Sequence, residues 1–220
     1  MKNEFQAEET NNYEKWCEQW REKFLDMDQE KLKILLPELK EEGEYLTLYH
    51  YARKYGIHKK KGTIEALEDS DPVSNTTKFN IYTLLGFATP GAALTNDWVP
   101  FEQLKNARPF GPAFQRGVIR AFALTFAGHG KELEEACIRL KGQKLRYADV
   151  GYQLDAFACM PLRFLFWEED EEFDAQANIL YDRSATDFIH VESTVSVASE
   201  GLYRLAQAAG IPVKGSTFQL

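Results

Sequence analysis

Cysteine is scarce in this chain: Cys17, Cys137 and Cys159 are the only three in 220 residues. Their wide separation gives neither the close pairs of a zinc or iron–sulfur site nor the dense framework of a small secreted domain, so free thiols in a reducing compartment are expected. Long apolar runs are missing too. None approaches 18 residues, and the opening MKNEFQAEETNN lacks the apolar stretch of a signal peptide, which sets the expectation of a cytoplasmic protein with no membrane span. Positive charge is in deficit. A net charge of −8 and a pI near 5.2 disfavour generic attraction to phosphate backbones or anionic lipid, so neither nucleic acid nor membrane is expected as a partner. Histidine is sparse, and His50, His58, His129 and His190 never recur at the i, i+4 spacing of a zinc protease helix. Gly86 and Gly91 have the spacing of a phosphate loop, but Ala92 and Ala93 follow where lysine and a hydroxyl belong. Dinucleotide fingerprints and nucleophile elbows are absent as well.

What is present is an ordinary globular composition, 44% hydrophobic and 27% charged, in a chain long enough to bury a core without metal or disulfide. The most informative stretch is Phe164 to Asp182, FLFWEEDEEFDAQANILYD. An apolar run ending in Trp167 breaks into a cluster of carboxylates and then returns to alternation, which predicts strand, acidic loop, strand.

Along the rest of the chain, Tyr13, Trp16, Cys17, Trp20 and Phe24 recur at helical spacing after a polar start, with Asn12 expected as the N-cap. A second helix is expected from Asp28, bent or shortened by Pro37. Tyr45 to Ala52 alternates like a strand, and a hairpin turn at Lys59-Lys60-Lys61-Gly62 returns through Thr63 to Leu67. A helix is predicted over Asn75 to Phe87, followed by a Gly- and Pro-rich connection from residue 86 to 114 pinned by Trp98, Val99, Phe101 and Phe110. Two helices come next, Pro112 to Ala127 and Lys131 to Leu140. Strands near Val150 to Ala158, Leu162 to Trp167 and Ala177 to Tyr181 form an antiparallel meander, closed by a helix over Ser193 to Ala209.

Arg163 is the sharpest local anomaly, since a guanidinium in an otherwise apolar strand calls for a partner. If the chain reverses around Ala158 to Met160, Arg163 stands opposite Asp155, and the pair is expected to face the helical layer, either as a structural ion pair or as an anion-binding arginine in a pocket. The acidic loop, with Asp170, Glu171 and Glu172, offers hard oxygen ligands, but their order does not match an EF-hand; a solvated hairpin loop is the bland alternative to a metal or cationic-ligand site.

Asp97 to Leu104, Pro161 to Trp167 running into Asp170 to Phe173, and Ile179 to Ala185 with the closing helix together resemble an uncharacterised family, a domain of unknown function found mainly in anaerobic bacteria and archaea. The likeness spans Tyr45 to Leu205. Some relatives carry a cysteine-rich iron–sulfur segment ahead of the domain, whereas this chain has only Cys17 in its first hundred residues. The resemblance implies a fold and a loose association with corrinoid, folate or iron–sulfur metabolism; it transfers no catalytic residue and names no cofactor.

The expected architecture is a single α+β domain with a mainly antiparallel sheet built from both the 45–67 region and the meander, helices largely on one side, an N-terminal helical extension over residues 1–43 and a tail over 211–220. The leading functional expectation is a non-catalytic binding or accessory protein, with a surface joining Trp98, Trp167, the acidic loop, Asp182 and Arg183. A small-molecule enzyme using Asp155, Arg163 and the carboxylates at 170–172 is one rival. A protein-interaction module docking through Trp16 and Trp20 is the other.

Overall fold

A computed structural model describes the backbone of residues 2–216 and side chains from Glu14 onward. Helix α1 (Lys2–Leu25) begins well before Asn12, so the cap expected there lies inside the helix, and the side chain of Asn12 is outside the described residues. Asp28 caps α2 (Gln29–Leu35), its Oδ1 accepting from the Lys31 amide, and the helix stops short of Pro37.

Two antiparallel sheets follow where one was expected. The first contains β1 (Lys40–Glu42), β2 (Tyr45–His50), β3 (Arg53–His58) and β4 (Ile64–Ala66) in that order. The strand expected to run through Ala52 instead reverses at Tyr51 and Ala52, both left-handed with φ of 47° and 61°, which is how a two-residue hairpin matches strand twist. Neither residue is a glycine or asparagine, so the turn carries no composition signal.

Helix α3 (Asn75–Phe87) is capped by Ser74, and α1 packs against it through Trp16 on Phe79 and Trp20 on Phe87. The irregular connection contributes β5 (Trp98–Pro100) and then the short helix α4 (Gly111–Phe114), which continues through a π turn at Gln115–Ile119 into α5 (Arg120–Phe126). Helix α6 (Gly130–Arg139) leads through β6 (Gln143–Lys144) into β7 (Val150–Phe157), β8 (Met160–Trp167) and β9 (Gln176–Asp182). These strands form the second sheet, ordered β5-β9-β8-β7-β6, with β8 central as its two-sided apolar pattern predicts. The acidic cluster is the bend between β8 and β9. A short α7 (Ala185–Phe188) and the long α8 (Val191–Ala209) close the chain.

Leu162, Phe164 and Phe166 of β8 face the helices, where Phe122 of α5 packs edge-on to Phe164. Helix α8 is tied to both sheets by two buried tyrosines: Tyr51 donates to the Val197 carbonyl and Tyr181 to that of Thr194. No helix among the described residues is long and apolar enough to cross a membrane.

Candidate functional site

The register of β7 and β8 sets Arg163 opposite Gln153, two residues from the expected partner, and Asp155 opposite Pro161. The chain turns at Ala158-Cys159 and an irregularity follows Asp155, which together account for the shift. A two-residue slip preserves the face, but that face is turned away from the helices, so the expected ion pair against the helical layer is replaced by another arrangement. Arg163 stands over the Trp98 ring, its guanidinium carbon 3.7 Å from the ring centroid, and donates to Tyr147 Oη at 2.7 Å and to Gln153 Oε1 at 3.3 Å. Stacking and neutral acceptors satisfy the cation without a carboxylate.

The other predicted residues are dispersed. Asp182 is buried, and although burial raises its carboxyl pKa, hydrogen bonds from Ser184 and Thr95 outweigh that and hold it below the ordinary value. Its oxygens accept from the amides of Thr95, Asn96 and Ser184 and from the hydroxyls of Thr95 and Ser184, fastening the loop before β5 to the end of β9. Arg183 pairs with Asp97 at the surface. Asp170 accepts from the amides of Glu172 and Phe173 and so closes its own loop, leaving Glu171 and Glu172 exposed. Glu168 reaches across to the start of α6, where His129 provides no side-chain cap, and accepts from the amides of Gly130 at 2.8 Å and Gly128 at 3.2 Å. Trp167, Asp170 and Phe173 border a shallow cavity of about 290 Å³, which includes neither Arg163 nor Asp155. Trp16 and Trp20 both pack on α3 of the same chain, so their face has an internal partner.

The larger cleft lies elsewhere and was not foreseen. About 770 Å³ in volume, it opens between the Tyr51–Ala52 turn, the loop over residues 68–74, the end of α6 and the last half of α8. At its base sits Glu200, 1% exposed. Oε2 accepts from His50 Nε2 at 2.9 Å and Asn80 Nδ2 at 2.9 Å, while Oε1 accepts from Arg204 Nη2 at 3.0 Å and from the Thr77 hydroxyl. The other ring nitrogen of His50 faces the Ala156 carbonyl at 2.6 Å, so both ring nitrogens have oxygen partners inside the core. Burial alone would raise the Glu200 pKa, but His50, Arg204 and Thr77 more than offset it and bring it to about 2. A carboxylate at the core-facing position of an apolar helix with arginine four residues on was the available signal.

Basic and acidic side chains alternate around the mouth. Arg53 forms a bidentate pair with Asp69 and also donates to Tyr55 Oη and the Asp71 carbonyl. Arg139 donates to the Ala208 carbonyl near the end of α8 and to Glu135. Backbone strain gathers here too. Of the non-glycine, non-asparagine residues with left-handed backbone, Tyr51, Ala52, Lys141 and Ala148, the first three line this cleft.

The three thiols lie apart, on α1, on α6 and at the β7–β8 turn, and burial raises the pKa of each. That is the reverse of what thiolate ligation of iron requires, so these residues do not fit an iron–sulfur centre. No group of three or more His, Cys, Asp or Glu among the described residues converges for metal binding. No curated protein and no solved structure matches the chain. Residues 28–204 match the family described as a domain of unknown function, DUF3786, and the chain belongs to that family.

Proposed function

We propose that this chain is a non-catalytic binding protein that takes a small polar molecule in the cleft above Glu200. The observation that carries the reading is the convergence of left-handed Tyr51, Ala52 and Lys141 on one cavity rich in charged side chains. Each such position costs stability, and strain of that kind collects where a surface is shaped for a task. The volume suits a small ligand, and the turn and α8 are fixed by buried hydrogen bonds, which lowers the ordering cost of binding. The commitment of Asp182, Asp170 and Glu168 to backbone amides favours binding over catalysis at the carboxylates. The link to anaerobic metabolism of the corrinoid or folate type rests on the family resemblance, and the Trp98–Arg163 stack remains a secondary surface for a flat ligand.

The test is a thermal-shift screen of the whole chain against small polar metabolites, corrinoids and folates, with native mass spectrometry of protein purified anaerobically. A true ligand at a hundredfold its Kd stabilises by about 2.7 kcal/mol, a Tm rise of roughly 5–10 °C for a chain of this size. Gln207→Trp, at an exposed cleft position of α8, is expected to abolish that rise without lowering the unliganded Tm. A ligand-induced rise that survives Gln207→Trp, or a screen in which no molecule raises Tm, would overturn the reading.

A further inference from the structure

We infer that the cleft is built for a ligand bearing an oxyanion, a carboxylate or a phosphate, held by Lys141 and the unclaimed donors of Arg204. The inference rests on the binding reading above and specifies its ligand class.

Most of the charged side chains at the cleft already have partners. Arg53 uses all three of its nitrogens on Asp69, Tyr55 and the Asp71 carbonyl. Arg139 is held by Ala208 and Glu135. On the acidic side, Asp69 is held by Arg53, Glu200 by its four donors, and Glu68 accepts from the Tyr49 hydroxyl at 3.2 Å.

Two cations are left with capacity. Arg204 donates only through Nη2, to Tyr55, Thr77 and Glu200. Its Nε and Nη1 make no hydrogen bond among the described residues, and neither is among the buried unpaired atoms, so both are open to a ligand. The opposite edge of that guanidinium is fixed by the Glu200 network, so these donors stand at a set position. Lys141 Nζ stands over the Tyr49 ring, 5.8 Å from the centroid, and makes no ion pair among the described residues. Against them stand Asp71, whose carboxylate is uncommitted, and Glu68, whose charge meets only a neutral hydroxyl. Arg204 is paired with Glu200 and so offers directional donors rather than net charge, and Lys141 is the cleft cation without a carboxylate partner, so a ligand of low net charge with one oxyanion fits better than a polyanion.

Lys141 supplies a second, independent mark. It occupies the second residue past α6, after Leu140, with φ of 58°, closing the helix through its own amide to Ile138 and the Gly142 amide to Cys137. Glycine takes that left-handed position without steric cost, and lysine does not. A lysine there exchanges some stability for an ammonium at the cleft rim.

Amide chemical-shift titrations of the whole chain with inorganic phosphate, with acetate and with uncharged acetamide test the inference. Saturable shifts confined to the cleft around Ala52, Lys141 and Arg204 are expected with phosphate or acetate, and the more effective of the two identifies the source of the oxyanion. Lys141→Gly is expected to weaken that binding roughly tenfold or more, the loss of one charge-assisted contact, while keeping the spectrum elsewhere and a Tm no lower than the parent. The inference is overturned if neither anion perturbs the cleft, if acetamide matches acetate, or if Lys141→Gly binds as well as the parent. Failure of both anions alongside a neutral ligand blocked by Gln207→Trp would remove the oxyanion and leave the binding reading standing; no cleft ligand of any kind would remove both.

Discussion

Replacing Glu200 by glutamine probes the charge system beneath the cleft. Its carboxyl drops from an ordinary 4.5 to about 2 in the folded chain, and at about 1.4 kcal/mol per unit the difference stabilises the fold by about 3 kcal/mol near neutrality. Because the folded value is depressed, that contribution is complete above pH 4.5 and is lost as the pH falls toward 2. By pH 2.5 roughly 2.5 kcal/mol of it should be gone. Against a typical total of about 5–15 kcal/mol, this single group is a large part of the acid sensitivity.

Glu200→Gln removes the titration and breaks the geometry together. Each oxygen of Glu200 accepts two donors, so whichever way the amide is turned, its NH2 meets either His50 and Asn80 or Thr77 and Arg204. Stability at pH 7 should fall by about 3–5 kcal/mol, the cost of leaving buried donors and charge unmatched. Urea unfolding followed by tryptophan fluorescence at pH 7 and 2.5, on parent and variant, isolates the residue, since Glu41 and the other carboxylates with lowered pKa titrate alike in both. The gap between the two proteins should narrow by roughly 2.5 kcal/mol at the lower pH. Thr77→Ala, which deletes one donor to Oε1, gives a milder version should the glutamine variant not fold. A gap that stays constant to within about 1 kcal/mol, well under the linkage value, would refute the reasoning.

Two glycines test contacts that hold the frame. A Cβ at Gly130 would stand 2.2 Å from Glu168 Oε1, so Gly130→Ala should expel the carboxylate from the start of α6 and cost about 1–2 kcal/mol in thermal unfolding; no loss would show that Glu168 does not serve α6. A Cβ at Gly86 would stand 2.3 Å from the Trp20 ring, so Gly86→Ala should loosen α1 from α3, shift tryptophan emission to the red and expose α1 to limited proteolysis while the rest of the core resists. Unchanged emission and protection would count against that packing.

Much of the frame was legible in the residues. The meander strands fall within a residue or two of their expected limits because Leu162 to Trp167 could be buried on both faces only at the centre of a sheet, and the carboxylates after Trp167 could only leave it. The helices from 75, 111, 130 and 191 likewise follow caps, prolines and periodicity. What escaped was set by tertiary structure. Strand β3 was missed because its turn, Tyr51-Ala52, has neither glycine nor asparagine, and its left-handed geometry is imposed by the burial of Tyr51 against α8. The partner of Arg163 was missed because register depends on the Ala158–Cys159 turn and the irregularity after Asp155. The site itself drew on His50, Thr77, Asn80, Glu200 and Arg204, with the bonded pair His50 and Glu200 150 positions apart in the chain, and proximity of that kind leaves no local pattern.

The same short turn explains why strain and charge meet in one place. Tyr51 and Ala52 end the first sheet, but the Tyr51 amide donates to Asp155 and Ala156 carbonyls of β7, its hydroxyl to α8, and the preceding His50 bridges Ala156 and Glu200. Glu200 in turn holds α8 to α3 through Thr77 and Asn80. Two walls of the cleft, the turn and α8, therefore hang from one buried set of hydrogen bonds, and the left-handed turn is the geometry that lets the first sheet reach it. A ligand that engages Arg204 contacts a guanidinium already braced against that set, so little conformational freedom remains to be lost on binding. Without the turn, Arg204 would keep Glu200 but the cleft would lose the wall formed by Ala52, which is why backbone strain at this position belongs to the shape of the cleft as much as to the joining of the sheets.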